Sequence, residues 1–462
     1  MAISREHWGS RLGFTMAAAG SAIGLGNLWK FPYITWHNNG GAFVLIYLVC
    51  IAAVGLPIMM AEILIGRRTQ KSPVGAMKAA VGPAWGWVGA WGVLAGFVIL
   101  GYYTVVAGWT LSYFAKCLGW TFNGFPADVE LGSMFTGFVA NGSLQIVLSA
   151  IFSLATMGVI YFGVGHGIER VTRILMPALF AILLLLLVSA LTMSGAGEAL
   201  AFIFEPRFAH MRWAGVLEAL GHAFFTLSLG MGAMITYGSY MSRRDSVVTS
   251  SLTVVILDTL IALFATVIMF SVIFSVPGMR EQVSKSTAGM LFITMPKLFY
   301  TVVPMGNVLA PLFYVLVAFA ALTSTISLLE VIVSYFIDER GVGRVKATTL
   351  CGLATFVLTV FCALSLGSSS TLSGFEWIRG KGGLFATLDH IASNWQLPTG
   401  GFFITLAAGW FMTRKSTEAE LADESAPGWF RYGAWRFFIR YIAPLAVASI
   451  IAAVIFFHAD FS

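Results

Sequence analysis

A chain of 462 residues that is 58% hydrophobic, 14% aromatic and only 10% charged is too apolar for a water-soluble domain and reads as a polytopic membrane protein. Its net charge of +6 points to a bilayer and not to nucleic acid, because the basic residues cluster in alternate loops. Four cysteines, Cys50, Cys117, Cys351 and Cys362, lie in or beside apolar stretches without metal-ligand spacing, so they are expected to be small free hydrophobes.

The first ten residues are polar and carry no small-residue cleavage site, so the first apolar span is expected to be retained. A helix crossing a hydrocarbon core about 30 Å thick takes about 20 residues. On that measure eleven spans are predicted, at 11–37, 41–65, 84–116, 144–163, 168–193, 213–240, 247–276, 305–337, 346–366, 383–411 and 434–458. With the N-terminus in the cytoplasm, the cytoplasmic loops hold eighteen Lys and Arg and the outer loops eight, Lys30 being left inside span 1. That bias sets the orientation and puts the C-terminus outside. The loop 277–304 surrounds an apolar stretch with Pro277, Gly278, Pro296 and Pro304 and is expected to fold back as a cap over a cavity, a folded surface loop being the other reading. Segment 414–430, the most charged part of the chain, is expected to lie in water.

Two spans carry interruptions. Span 1 places Gly20, Gly24 and Gly26 together with Asn27 near mid-membrane. Each Gly is about 1 kcal/mol worse than Ala in a helix interior, so the cluster favours unwinding. Lipid cannot satisfy the freed carbonyls, and such backbone is tolerated only beside protein or a cavity. Freed carbonyls and one amide suit a dehydrated alkali cation, while Gly20-xxx-Gly24 reads equally as a helix-packing face. Span 6 echoes the pattern from Thr226 to Gly232, with Leu229-Gly230 answering Leu25-Gly26. The broken spans open consecutive sets of five, and five is odd, so the second set runs inverted. Paired interruptions of this kind point to a midplane binding site in a secondary transporter. The chain then divides into a cytoplasmic N-terminus (1–10), a first repeat of spans 1–5 (11–193), a second of spans 6–10 (213–411) and an eleventh span (434–458).

GSAIGLGNLWKFP (20–32), FFTLSLGMGAMITYGSY (224–240) and ALTSTISLLE (321–330) resemble the neurotransmitter:sodium symporters in their bacterial LeuT-like branch. The resemblance runs from Trp8 to span 11. It implies an all-α, LeuT-like 5+5 inverted-repeat fold with discontinuous helices 1 and 6 plus an eleventh span, and sodium-coupled uptake of amino acids or amines by alternating access. No organic cofactor and no obligatory oligomer is expected; the partners are substrate, two sodium ions and membrane lipid of the cell's inner (plasma) membrane.

The resemblance also assigns candidate residues. A first sodium would take the Ala22 carbonyl, the Asn27 amide, Thr226 and Asp258. Asp258 is buried in Ile-Leu-Asp-Thr-Leu-Ile, and an isolated carboxylate at midplane costs several kcal/mol unless a cation pairs with it. The family often has Asn there; Asp258 can supply the negative charge itself, which predicts independence of chloride. A second sodium would take the Gly20, Ile23 and Ala320 carbonyls and the Thr323 and Ser324 hydroxyls, though such hydroxyls also commonly bond back to their own helix. A substrate carboxylate would sit at the half-helix N-terminus of Ala22–Gly26, helped by Tyr103, with its ammonium on carbonyls near Phe225, Thr226 and Ser228. Gly24 stands where amine-transporting relatives have Asp, which favours amino acids. Ser21, Ile99, Met231, Ser324 and Leu328, with Tyr103 and Phe225, make the side-chain pocket apolar, so hydrophobic and aromatic L-amino acids are expected. Lys30 and Asp389 match one gate. Arg5, Trp8, Ser239, Tyr240 and Asp338 match the other, Gly167 and Pro177 a hinge in span 5, and Glu62 a structural acid. A sodium-dependent sensor with little transport and a proton-coupled transporter are the alternatives. An intramembrane enzyme lacks a His-Glu-x-x-His or a nucleophile with its base, and a channel lacks a repeated filter.

Overall fold

The computed structural model describes residues 6–126, 130–278, 286–378, 380–422 and 426–460, and among them every regular element is helical. Eight helices there are long and apolar enough to cross a membrane: Gly41–Thr69, Pro83–Asn123, Gly142–Tyr161, Val164–Leu191, Val247–Phe274, Gly306–Arg340, Arg344–Leu364 and Tyr432–Phe457. They correspond to predicted spans 2, 3, 4, 5, 7, 8, 9 and 11. The two interrupted spans are in pieces, and span 10 runs as continuous helix from Leu384 to Phe411 with Asp389, Asn394 and Gln396 along it.

Span 3 outlasts its predicted end by seven residues, about two turns, reaching Asn123. Lys116 does not stop it, because its ammonium lies 4.7 Å over the Tyr113 ring and 4.3 Å over that of Phe138 while its stem follows the helix. Spans 3 and 8 lie along each other, and span 7 runs behind span 1, in contact with both of its halves. The loop that begins at 277 does fold back: Thr287–Gly289, a π-turn Met290–Thr294 and Met295–Thr301 bury Met290, Phe292, Leu298 and Phe299.

The charged segment 414–430 keeps most of its described residues exposed or half-buried, but one face of it packs on the protein. Its helix Arg414–Leu421 buries Thr417 and Leu421. Arg67, only 2% exposed, donates to the Glu420 carboxylate at 2.9 Å, to its carbonyl at 2.5 Å and to the Asp245 carbonyl at 2.5 Å. A buried guanidinium needs all its partners inside the protein, and this helix brings two of them.

Span 2 meets the second half of span 6 backbone to backbone. A Cβ on Gly66 would stand 2.0 Å from the Ile235 carbonyl oxygen, and one on Gly238 would stand 2.6 Å from the Ile63 oxygen. Neither neighbour is a side chain that can turn away. Gly66→Ala is therefore expected to cost about 1–3 kcal/mol of overpacking and to lower the midpoint of thermal unfolding in detergent. Gly428→Ala, which meets nothing within 4 Å, should leave that midpoint unchanged.

Candidate functional site

Span 1 is helical over Arg11–Ala22, leaves the helix at Ile23 (φ −75°, ψ 99°) and Gly24, and rewinds as a π-turn over Gly26–Lys30 and an α-turn over Phe31–His37. The break is shorter than the glycine cluster suggested. Gly20 is wound into the helix and is small for another reason: a Cβ there would sit 3.0 Å from Thr323 Cβ on span 8. Gly26 and Asn27 also lie in wound chain.

Span 6 stops at Thr226 and resumes at Ala233. The six residues between them turn on three left-handed positions, Ser228 (φ 54°), Gly230 (φ 80°) and Gly232 (φ 79°). Glycine adopts that region without strain; serine does so at a cost of about 1–2 kcal/mol. The Ser228 hydroxyl donates to the Ser21 carbonyl at 2.8 Å, tying one break to the other. Glu62 accepts the Gly230 amide at 2.7 Å, so the acid read as structural pins the second break.

Between the breaks lies Asp258, wholly buried near the middle of span 7. The Asn27 amide donates to its Oδ1 at 2.8 Å and to its carbonyl at 3.1 Å. The Thr226 hydroxyl donates to Oδ1 at 3.0 Å and Oδ2 at 3.2 Å. Asn27 turns its own oxygen back to the Gly24 amide at 3.0 Å. Asp258 makes no ion pair among the described residues. Three side chains of the first predicted ion set thus touch, and Ala22 ends the adjoining helix, where the last four carbonyls lack intrahelical partners.

For the second set, Thr323 donates to the Ala320 carbonyl at 3.0 Å and Ser324 to the same oxygen at 3.2 Å. This is the back-bonding alternative. It is compatible with holding a cation, since a hydroxyl that gives its proton to its own helix keeps two lone pairs for a metal.

All twelve predicted substrate residues, Ser21, Ala22, Gly24, Gly26, Ile99, Tyr103, Phe225, Thr226, Ser228, Met231, Ser324 and Leu328, line one cavity of about 30 Å³. Leu25 and Ser327, not singled out from the sequence, line it too. The Tyr103 hydroxyl accepts the Leu25 amide at 3.1 Å and keeps its proton for a ligand. A second cavity, about 100 Å³, adjoins on the Lys30 side and shares Leu25, Gly26, Tyr103 and Phe225 with the first, so these four form the partition. Lys30 and Asp389 both line the second cavity, with Thr287 of the folded-back loop. The Lys30 ammonium lies 5.1 Å from the Phe225 ring centre, directly over the partition.

The opposite end carries hydrogen bonds between the helices. The Trp8 indole donates to the Tyr237 carbonyl at 2.9 Å and its amide to the Tyr240 carbonyl at 3.1 Å. Asp338 accepts the Ser72 amide at 2.6 Å, and the Ser239 hydroxyl donates to Thr236 at 2.5 Å. Arg5, predicted here, lies outside the described residues. The sequence reading missed the ion cluster beside them. Glu330, fully buried, takes both Arg344 terminal nitrogens at 2.8 and 3.0 Å and the Tyr240 hydroxyl at 2.6 Å, and Arg344 also reaches Glu6 at 2.8 Å. A Glu at the end of ALTSTISLLE, inside an apolar span, was the available signal. At the hinge, Gly167 sits in a π-turn, Val164–Glu169, and the helix then runs unbroken through Pro177 to Leu191. The start of span 5 is wound here, not unwound.

Two helices broken side by side around a buried carboxylate and a small cavity define a secondary transporter of the inverted-repeat kind. The model of the sodium:neurotransmitter symporter family matches residues 5–123 and 128–460, and the chain belongs to that family. It is 35% identical to the sodium-dependent transporter YhdH of Bacillus subtilis over 95% of both chains. It is 28% identical to the sodium-dependent neutral amino acid transporter B(0)AT3 of Rattus norvegicus over 58% of this chain and 48% of that one. The crystal structure of MhsT in complex with L-phenylalanine superposes with a TM-score of 0.87 at 39% identity, covering 97% of this chain and 100% of that one.

Asn27→Ala removes the amide that holds Asp258 and releases the Gly24 amide. A hydrogen bond to a charged group contributes about 1.5–3 kcal/mol, so sodium affinity should fall roughly ten- to a hundredfold, measured by equilibrium binding of labelled sodium to the purified protein.

Proposed function

We propose that this protein is a sodium-coupled symporter of hydrophobic and aromatic L-amino acids that works by alternating access, uses two sodium ions and needs no chloride. It sits in the cell's inner membrane with eleven spans, its N-terminus and the Trp8 end facing the cytoplasm, and its repeats at 11–193 and 213–411. The observation that carries this reading is Asp258, held by Asn27 from one broken helix and Thr226 from the other. A hard monovalent cation placed there meets a full negative charge and neutral oxygens, and no halide is needed to complete the balance.

Substrate class rests on what faces the cavity. Ile99, Met231, Leu328 and Phe225 offer hydrocarbon and one thioether. No side chain stands at Gly24 to replace a substrate carboxylate. The space of about 30 Å³ is enough for a water or two. An amino acid therefore enters by moving the walls, and Met231 is the most adaptable of them. Family membership and the phenylalanine complex of MhsT support the same substrate class. Two charges crossing 100 mV gain about 4.6 kcal/mol, enough for roughly thousandfold accumulation before any sodium gradient is counted.

Uptake of labelled phenylalanine, leucine and tryptophan into proteoliposomes should require sodium and persist when gluconate replaces chloride. Uptake that ignores sodium, or that stops without chloride, would overturn the reading. Asp258→Asn should lose most of the sodium-driven uptake. Gly24→Ala should abolish it, because its Cβ would stand 2.6 Å from the Ser324 hydroxyl and 3.0 Å from that of Tyr103, inside the substrate space.

A further inference from the structure

Away from the central site, spans 3, 8 and 9 leave a groove of about 470 Å³ near the Trp8 end of the molecule. Its walls are helical stripes: Ala90 and Leu94 on span 3, Ile332 and Phe336 on span 8, Leu350 and Ala354 on span 9. The groove opens outward, since Leu94 is 45% and Leu350 53% exposed, and Ala90 and Ala354 are exposed as well. On a helix, residues four apart lie one above the other. The span 8 stripe Ile332–Phe336 continues to Arg340, and the span 9 stripe Ala354–Leu350 continues to Lys346. Both cations therefore stand at the same end of the groove, on either side of the turn 341–343 that joins the two helices.

Both are exposed, and neither makes an ion pair among the described residues. The nearest acid in sequence, Glu339, is already held by Lys78 at 2.7 Å. An apolar slot inside the membrane-spanning layer with two uncommitted cations at its mouth has the chemistry of a phospholipid turned tail-inward. We propose that the groove holds one acyl chain of an anionic phospholipid from the surrounding bilayer, with its phosphate between Arg340 and Lys346. The occupant is lipid and not a peptide, because the slot lies among outward-facing residues such as Leu353 and Val357, 55% exposed each, that only hydrocarbon covers. It is anionic because a zwitterionic headgroup would leave the two cations uncompensated. Basic residues near an anionic membrane surface each favour the charged lipid by close to a factor of five, so the pair should give on the order of tenfold preference or more.

The test uses the full-length protein in detergent, supplied with palmitoyl-oleoyl phosphatidylglycerol or palmitoyl-oleoyl phosphatidylcholine, washed, and weighed intact by native mass spectrometry. The wild type should retain one phosphatidylglycerol per chain in roughly tenfold preference to phosphatidylcholine. Arg340→Gln with Lys346→Gln should equalise the two lipids. Arg243→Gln with Lys415→Gln, which removes the same charge from other exposed positions, should leave the preference intact. Ala354→Phe, which fills the slot, should lose the retained lipid of either kind. Preference that survives the Arg340/Lys346 substitutions, that falls equally in the Arg243/Lys415 control, or retention that survives Ala354→Phe would each overturn the proposal. Lys346→Gln alone, a single exposed substitution, keeps the test valid should the double variant not fold; it should lower the preference severalfold, and an unchanged preference counts against the site.

Discussion

A carboxylate buried at the middle of a transmembrane bundle is the constraint from which the rest follows. Asp258 has no guanidinium or ammonium beside it among the described residues, and its oxygens are met by an amide and a hydroxyl instead. Those two groups come from the two helices that do not stay wound. The breaks in turn need their own support: left-handed turns at Gly230 and Gly232, a strained Ser228 bonded across to Ser21, and Glu62 on the Gly230 amide. Removing any of these leaves polar backbone exposed in a region where neither water nor lipid can compensate it.

The two ends of the molecule differ in kind. Toward Lys30 the cavity is separated from a larger one by four residues, two of them aromatic or phenolic side chains that turn about a single bond. Toward Trp8, backbone hydrogen bonds and the cluster of Glu330, Arg344, Tyr240 and Glu6 join spans 1, 6, 8 and 9. The first barrier consists of side chains, and the second of several charged contacts between helices.

The breaks and the residues around the cavity were legible in the sequence because their signals are local. Glycines at mid-span, an Asp in a run of Leu and Ile, and hydroxyls in a helix each contradict the apolar rule where they stand. The width of the first break stayed open in the sequence because glycine has two uses, and at Gly20 it makes room for Thr323 while the chain stays helical. The docking of Arg67 on Glu420 was not legible: the pair lies 353 positions apart, and nothing along the chain selects one acid among 21. The same holds for Arg344 with Glu6 and Glu330. Charge in a sequence reads first as a solvated loop, and only the packed structure shows which charges are taken inside.

The glycine contact between spans 2 and 6 has a mechanical consequence. With main chain pressed on main chain at Gly66 and Gly238, and Arg67 anchoring the next turn to the 414–421 helix, the lower piece of span 6 is welded to a larger rigid body. The upper piece, Trp213–Thr226, leans on the other half of the same span 2 helix, and the six non-helical residues bridge the two pieces along it. The gap between the two pieces is thus backed by one continuous helix, and a molecule lying in it would touch both pieces while span 2 keeps their spacing.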